Sequence, residues 1–331
     1  MRAGADGGVM ATIYEVAALA GVSPATVSRV MNGVSVSPER SKRVREAAEA
    51  LSFRPNRVAR TLRRQHSEVI ALVIPDIENP FFTSMARGVE DVAQAAGYSV
   101  LLCNTDDDHD KEARYLDIAV GANIAGVVIA AAGDRSDVKV LIDRGRPVVA
   151  VDRGPHGFDI DAVTVDNRAG GRAATTSLFD QGFRRIACVT GPRDVETATQ
   201  RADGWADALA AHGGADHALL RHANFRIDGG EQAMTELLDL PEPPDAVFVA
   251  NNLMSVGALR VLSQRGLLPP AVGVAMFGDL PFMPLAPLPI TVVQLPARLI
   301  GTTAAGLLLE RINGDDQPAR TIVLRNRLVQ H

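Results

Sequence analysis

Ala11-Thr-Ile-Tyr-Glu-Val-Ala-Ala-Leu-Ala-Gly-Val-Ser-Pro-Ala-Thr-Val-Ser-Arg-Val-Met-Asn32 is the stretch whose reading decides the architecture. Thr12 and Glu15 have the spacing of a capping box, in which each side chain satisfies the other residue's backbone N–H at a helix start. Ile13, Val16, Ala17 and Ala20 then recur at helical intervals and define one apolar face. Gly21 ends this helix as a left-handed cap. Ser23-Pro24 opens a second helix, with a hydroxyl at the N-cap and Pro at the first helical position. That helix turns Val27, Val30 and Met31 inward and ends near Asn32-Gly33. Ser37-Pro38-Glu39 starts a third helix in the same way, which runs through Ala47, Ala48 and Leu51. Two short helices around a Gly turn, the second led by small polar residues, predict a helix-turn-helix.

Three small helices also suit a protein-binding bundle, and spacing alone leaves both readings open. The second helix favours nucleic acid. Ser23, Thr26 and Ser28 suit phosphate contacts, and Arg29 can form a bidentate pair with a guanine edge. Charge points the same way. Residues 11–68 hold ten Lys/Arg against five Asp/Glu, whereas the 331-residue chain is −5 overall and residues 69–331 carry −10. A basic head on an acidic body is what a phosphate-binding module joined to a sensor would show.

From Val69 the pattern changes to short apolar runs alternating with helical stretches. Strands are predicted near Val69–Ile74, Ser99–Asn104, Gly126–Ala131, Pro147–Val151, Arg185–Thr190, Ala246–Ala250 and Val272–Phe277. The helical stretches between them end at Gly97, Gly145, Gly182, Gly213 and Gly266. Strand–helix alternation with short connections predicts parallel sheets covered by helices, and seven or more strands over this length predict two lobes. Ligands of such folds bind beyond the carboxyl ends of the strands. The sequence places Asp76-Ile-Glu-Asn-Pro-Phe-Phe82, Asn104-Thr-Asp106, Asp152-Arg153, Asp166-Asn167, Gly191-Pro192 with Arg201, and Asn251-Asn252 there. Carboxylates, amides, an Arg and a few rings together could bind sugar hydroxyls.

The headpiece resembles that of the LacI–GalR family of bacterial transcription regulators throughout Ala11–Asn32. Phe53-Arg-Pro-Asn-Arg-Val-Ala-Arg-Thr-Leu62 resembles the family's hinge helix, and the similarity continues along essentially the whole chain. The resemblance implies an α/β protein: an all-α helix-turn-helix headpiece joined to a two-lobed, periplasmic-binding-protein-like core of parallel sheets. The expected divisions are a disordered extension at 1–10, the headpiece at 11–55, hinge helix and linker at 56–67, and an effector-binding core at 68–331. Within the core, the N-lobe would hold about 68–164 plus 296–323 and the C-lobe about 165–295 plus 324–331. Met10 resembles the natural start of many relatives.

The same resemblance assigns roles. Pro24 and Ala25 match variable base-reading positions and Arg29 a third. Tyr14, Ser23, Thr26, Ser28 and Asn32 match residues that touch the DNA backbone or support the reading helix. Asn56 would cap the hinge helix, while Ala59 and Leu62 would enter the minor groove, Leu62 as a wedge at the central base step. Asn79, Phe81, Phe82, Asp152, Arg201, Phe225 and Asn251 match positions lining the effector cleft. Each also has a plainer reading: the Phe residues as core rings, Asp152 and Asn251 as caps, Arg201 as a surface ion pair. Two positions depart from the family. Gly278 stands where relatives carry an effector-binding Asp, and Leu295 where a Gln is common. These losses fit either a smaller, less hydroxylated effector or a pocket reorganised around Asp279.

The expected partners are a pseudo-palindromic double-stranded operator, a sugar-like effector and a second copy of the chain. With no heptad-patterned helix after the extended Thr321–Val329 stretch, a homodimer is expected rather than a tetramer. No cofactor or metal is expected. The chain has no phosphate loop, dinucleotide fingerprint, nucleophile elbow or metal-ligand spacing, which argues against an enzyme. Met1–Met10 lacks the apolar core of a signal peptide, and no apolar run could span a bilayer, so a secreted sugar-binding protein and a membrane protein fit poorly. Cys103 and Cys188, inside apolar runs, read as buried free thiols of a cytoplasmic protein.

Overall fold

The computed structural model describes residues 11–31, 36–51, 53, 67–133, 136–214, 217–280 and 288–330. The chain divides into two compact units, residues 1–65 and 66–331. In the first, helices α1 (Ile13–Ala20), α2 (Pro24–Met31) and α3 (Pro38–Ala50) pack around Val16, Val27, Val30 and Val44. Both arms of the Thr12–Glu15 capping box are made, and Gly21 closes α1 at φ +61°. Ser23 accepts the Thr26 N–H at 3.2 Å. Ser37 behaves differently from expectation. Its hydroxyl makes no cap bond, and α3 starts on the Pro38 ring alone.

The second unit holds two six-stranded sheets. The first sheet runs β11-β5-β4-β3-β1-β2, built from β1 (Val69–Ile74), β2 (Ser99–Asn104), β3 (Gly126–Ile129), β4 (Val148–Val151), β5 (Asp161–Val165) and β11 (Thr321–Leu324). The second runs β12-β10-β9-β8-β6-β7, from β6 (Ile186–Thr190), β7 (Leu220–His222), β8 (Ala246–Val249), β9 (Gly273–Phe277), β10 (Ile290–Gln294) and β12 (Arg327–Gln330). Central strands such as β3, β4, β8 and β9 are buried along their whole length, as strands covered on both faces must be. All neighbours are parallel except β12, which runs antiparallel to β10. This edge strand therefore departs from the all-parallel expectation. β12 follows β11, an edge strand of the first sheet, after only two residues and pairs with β10 at the edge of the second.

Helices α4 (Pro80–Ala95), α5 (His109–Gly121), α6 (Lys139–Ile142) and α11 (Ala297–Ile312) serve the first sheet. Helices α7 (Asn167–Asp180), α8 (Glu196–Ala211), α9 (Ile227–Leu238) and α10 (Asn252–Gln264) serve the second. The chain consequently passes between lobes three times, after β5, β10 and β11. Gly97, Gly145, Gly182, Gly213 and Gly266 all have positive φ, as expected of helix ends. Gly171 and Gly204 serve another purpose. A Cβ on Gly171 would lie 2.4 Å from the Arg201 carbonyl oxygen, and one on Gly204 would lie 2.2 Å from that of Arg168. Helices α7 and α8 thus touch backbone to backbone. This close packing fixes the helix that carries Arg201.

Cys103 and Cys188 are buried and unpaired. Among the described residues, no helix is long and apolar enough to cross a membrane.

Candidate functional site

Strand ends from both lobes meet at one cavity of about 40 Å³. Asn79 follows β1, Asp107 follows β2, and Asp152 and Arg153 follow β4. Facing them, Phe225 follows β7, Asn251 and Asn252 follow β8, Gly278 follows β9, and Leu295 follows β10. Arg201 enters from α8. All seven residues assigned to the cleft by resemblance line this cavity.

Arg201 is buried and held from three sides. Its Nε donates to Asn167 Oδ1 at 2.8 Å and its Nη1 to the Ala250 carbonyl at 2.9 Å. The guanidinium lies over the Phe277 ring, 4.1 Å from its centroid. The remaining nitrogen, Nη2, stands 3.9 Å from Asp152 Oδ1 across the cleft. Burial lowers the Arg201 pKa to about 10, against the attraction of Asp152. Burial likewise raises the Asp152 carboxyl above its usual range, against Arg201 and Arg153. Among the described residues no donor comes within hydrogen-bonding distance of the Asp152 carboxylate, although it lines the cavity. Asp152 has φ +64°, a conformation that Asp tolerates better than most residues. It is therefore an acceptor presented to the cavity, and the plainer reading of it as a cap is not what the geometry has.

Arg153, also buried, donates from Nη2 to Asp107 at 2.9 Å and from Nη1 to the Ala131 carbonyl. Phe81 and Phe82 meet edge to face with centroids 5.0 Å apart, and Phe82 is also part of the core of the first lobe. The Phe225 ring covers Gly191, where a Cβ would come within 2.1 Å of it. Phe225 itself has φ +61°, a strained conformation for a bulky residue of the kind that clusters at binding sites. The two amides are both caps and cavity residues. Asn251 accepts the Met254 N–H at 3.0 Å, and Asn79 accepts the Phe81 N–H at 3.0 Å.

The remaining strand-end residues play supporting parts. Asn104 accepts the Ile77 N–H and donates to Asp106, away from the cavity wall. Asp166 caps α7 through the Ala169 N–H at 2.9 Å. Sequence reading missed Asp107, Thr197, Asn224, Arg226 and Phe277, which also line the cavity. Thr197 was legible in principle, since it precedes Arg201 by one helical turn. Asn224 and Arg226 were hidden because β7 has only three residues.

In the headpiece, Tyr14, Ser23, Ala25 and Arg29 are exposed, while Pro24, Thr26 and Ser28 are half-buried. Ser23 and Thr26 hydroxyls also bond each other at 3.0 Å. Tyr14 is 72% exposed, too much for a packing role. Asn32, Asn56, Ala59 and Leu62 lie outside the described residues.

Comparison with known proteins agrees with both units. Residues 12–56 match the family model for bacterial regulatory proteins of the lacI family. Residues 67–331 match the model for periplasmic binding proteins and the sugar-binding domain of the LacI family. The HTH-type transcriptional regulator CelR of Thermobifida fusca is 35% identical over 332 residues, covering 96% of this chain and 96% of the relative. The solved CelR–cellobiose complex superposes with a TM-score of 0.73 at 34% identity, covering 97% of this chain and 99% of that one. The lac repressor dimer bound to operator and the anti-inducer ONPF gives a TM-score of 0.84 at 25% identity, covering 96% of this chain and 97% of that one. The resemblance read from Ala11–Asn32 thus extends over the whole molecule, and the chain belongs to the LacI family of bacterial regulatory proteins.

Proposed function

We propose that this protein is a cytoplasmic, homodimeric transcriptional repressor whose operator affinity is set by a small hydroxylated effector, of sugar type, held between the two lobes of its core. The observation that carries the effector reading is the Asp152–Arg201 pair, one residue from each lobe, 3.9 Å apart over a cavity. A hydroxyl placed between them can donate to the carboxylate and accept from the guanidinium, replacing a long ion pair with two charge-assisted hydrogen bonds. The cavity of about 40 Å³ has room for a few waters, each needing roughly 10–15 Å³ of such space, but not for a sugar ring. A sugar ring enters only if the lobes part and reclose, which is how occupancy becomes a change of lobe orientation. Linkage then requires that the ligand alter operator affinity by its differential affinity for the two arrangements, typically ~1–3 kcal/mol.

Exposed Arg29 and the polar Ser23–Ser28 face of α2 support operator reading. Pro24 and Ala25 discriminate by shape and methyl contact, and Arg29 by its donor fork. Tyr14 and Asn32 contribute backbone contacts, and Asn56, Ala59 and Leu62 the hinge and minor-groove wedge. Release by effector is the expected sign. The test is a gel-shift on fragments flanking the protein's own gene, repeated with a panel of sugars, sugar acids and nucleosides. Specific retardation that one of these ligands relieves is the expected result. A chain that binds such fragments no better than random DNA is not an operator-reading repressor.

A further inference from the structure

Arg201 is tied to the first lobe by a route that never enters the cavity. Its Nε donates to Asn167 Oδ1 at 2.8 Å, the Asn167 amide nitrogen to Gln200 Oε1 at 3.3 Å, and the Gln200 amide nitrogen to Glu196 Oε1 at 2.7 Å. The other carboxylate oxygen, Glu196 Oε2, accepts the Gly154 N–H at 2.8 Å. Gly154 follows β4 in the first lobe, whereas Glu196 and Gln200 lie on α8 in the second. Four hydrogen bonds thus run from the guanidinium to a backbone N–H of the opposite lobe.

The ends of this chain dictate its middle. A guanidinium can only donate and a carboxylate can only accept, so both amides must turn oxygen toward Arg201 and nitrogen toward Glu196. Bonds aligned head to tail between opposite charges polarise one another, and breaking one weakens the rest. Gly154 admits the carboxylate, since a Cβ there would lie 3.0 Å from Glu196 Oε2. Asn167 and Arg201 are buried, while Gln200 and Glu196 are half-buried. None of Asn167, Gln200 and Glu196 lines the cavity of Arg201, so they can act on a ligand there only through the guanidinium.

On the reading of Arg201 as an effector-binding residue, we propose that Glu196 and Gln200 are positioning residues that make the placement of Arg201 depend on lobe closure. Glu196 is a latch, because its bond to Gly154 exists only while the lobes are together. Gln200 carries the state of that latch to Asn167, and Asn167 carries it to the guanidinium. An open protein therefore holds Arg201 less firmly than a closed one. By reciprocity, a ligand that fixes Arg201 favours the latched arrangement.

The test is hydrogen exchange of the Gly154 amide in the unliganded full chain, read by mass spectrometry. Gln200→Glu keeps the shape of the side chain and its bond from Asn167, but it cannot donate to Glu196. It should speed exchange at Gly154 about fivefold, the loss of one hydrogen bond, while the β8 amides keep their wild-type rates. Swapping the two groups, Glu196→Gln together with Gln200→Glu, restores every donor–acceptor pair. The new amide at 196 accepts from Gly154 and donates to the new carboxylate at 200, so Gly154 should return to slow exchange. Arg201→Ala, at the far end of the chain, should also speed it. Wild-type exchange at Gly154 in Gln200→Glu or in Arg201→Ala, or a swapped protein that exchanges as fast as Gln200→Glu, would overturn the relay. No ligand enters this measurement, so a protein that behaves as expected here and binds no sugar loses the effector reading alone.

Discussion

Asn252 donates from Nδ2 to Asn79 Oδ1 at 3.0 Å, so the amide that caps α4 in one lobe also anchors the first residue of α10 in the other. This direct bond between lobes sits in the wall of the cavity. Asn252→Ala removes it but leaves Asn79 free to cap α4. A hydrogen bond of this kind contributes about 1 kcal/mol net, roughly a fivefold change in an equilibrium constant. Effector affinity should fall by about that factor in calorimetry, and small-angle scattering of the unliganded protein should show a more open core. Unchanged values in both measurements would mean that the bond does not hold the lobes together.

Asp152→Asn and Arg201→Ala should each remove most of the effector response while leaving operator affinity close to wild type. Loss of a charged hydrogen bond costs roughly 1.5–3 kcal/mol, more if the partner remains buried. The pH dependence follows from burial, which raises the Asp152 carboxyl above its usual 3.8. Ligand hydroxyls donate to the carboxylate, so effector affinity should drop as pH falls through that raised value. Folding stability has the opposite sign. A folded pKa above the unfolded one means the folded state binds more protons in that window, so this group's contribution is fully present below the unfolded pKa and is lost as pH rises through the folded one. Titrating effector binding by calorimetry between pH 4 and 8 would check this, and Asp152→Asn should flatten the curve.

Gly204→Ala tests how the fold positions Arg201. The added methyl would approach the Arg168 carbonyl oxygen at 2.2 Å, and backbone cannot yield as a side-chain tip can. Overpacking of this kind costs typically 1–3 kcal/mol. Urea denaturation should report a loss of that size. Because Arg201 lies one turn earlier on α8, the effector response should weaken as well, although no polar group has been removed. A destabilised protein with a normal effector response would show that Arg201 is held by Asn167 and the Ala250 carbonyl alone.

Arg29→Ala should relax selection at one guanine of each half-site and cost about 1–3 kcal/mol there, with preferences elsewhere retained. Arg29 is exposed on α2, and no fold-stabilising role competes with base reading in the headpiece core. Selection from randomised DNA is the measurement. A uniform loss of affinity at all positions would instead place Arg29 on phosphate.

Local chemistry made the headpiece legible from its residues. The capping box at Thr12–Glu15, the left-handed Gly21 and the Ser23–Pro24 start are each made by neighbours within a few positions, and each forms as read. Ser37 fails for a related reason, because a Pro at the first helical position can open a helix without help from the hydroxyl. In the core, the seven long apolar runs became strands, six of them buried nearly throughout, whereas β2 at the sheet edge leaves Leu101 and Leu102 exposed. Two of the strands that escaped notice, β7 and β5, are ones whose identity is set by partners. Leu220–His222 is three residues of half-buried chain that is a strand only because β6 lies beside it. Asp161–Val165 opens with a carboxylate that is buried only because Arg311 pairs with it at 2.8 and 2.9 Å and the Arg320 backbone N–H donates to it at 2.7 Å. The cavity divides in the same way. That polar residues would gather beyond the strand ends follows from strand order and could be read in advance. That Asp152 and Arg201 face each other, that Asn252 reaches Asn79, and that Glu196 reaches Gly154 depend on how two sheets meet, and these distances exist only once both lobes have folded.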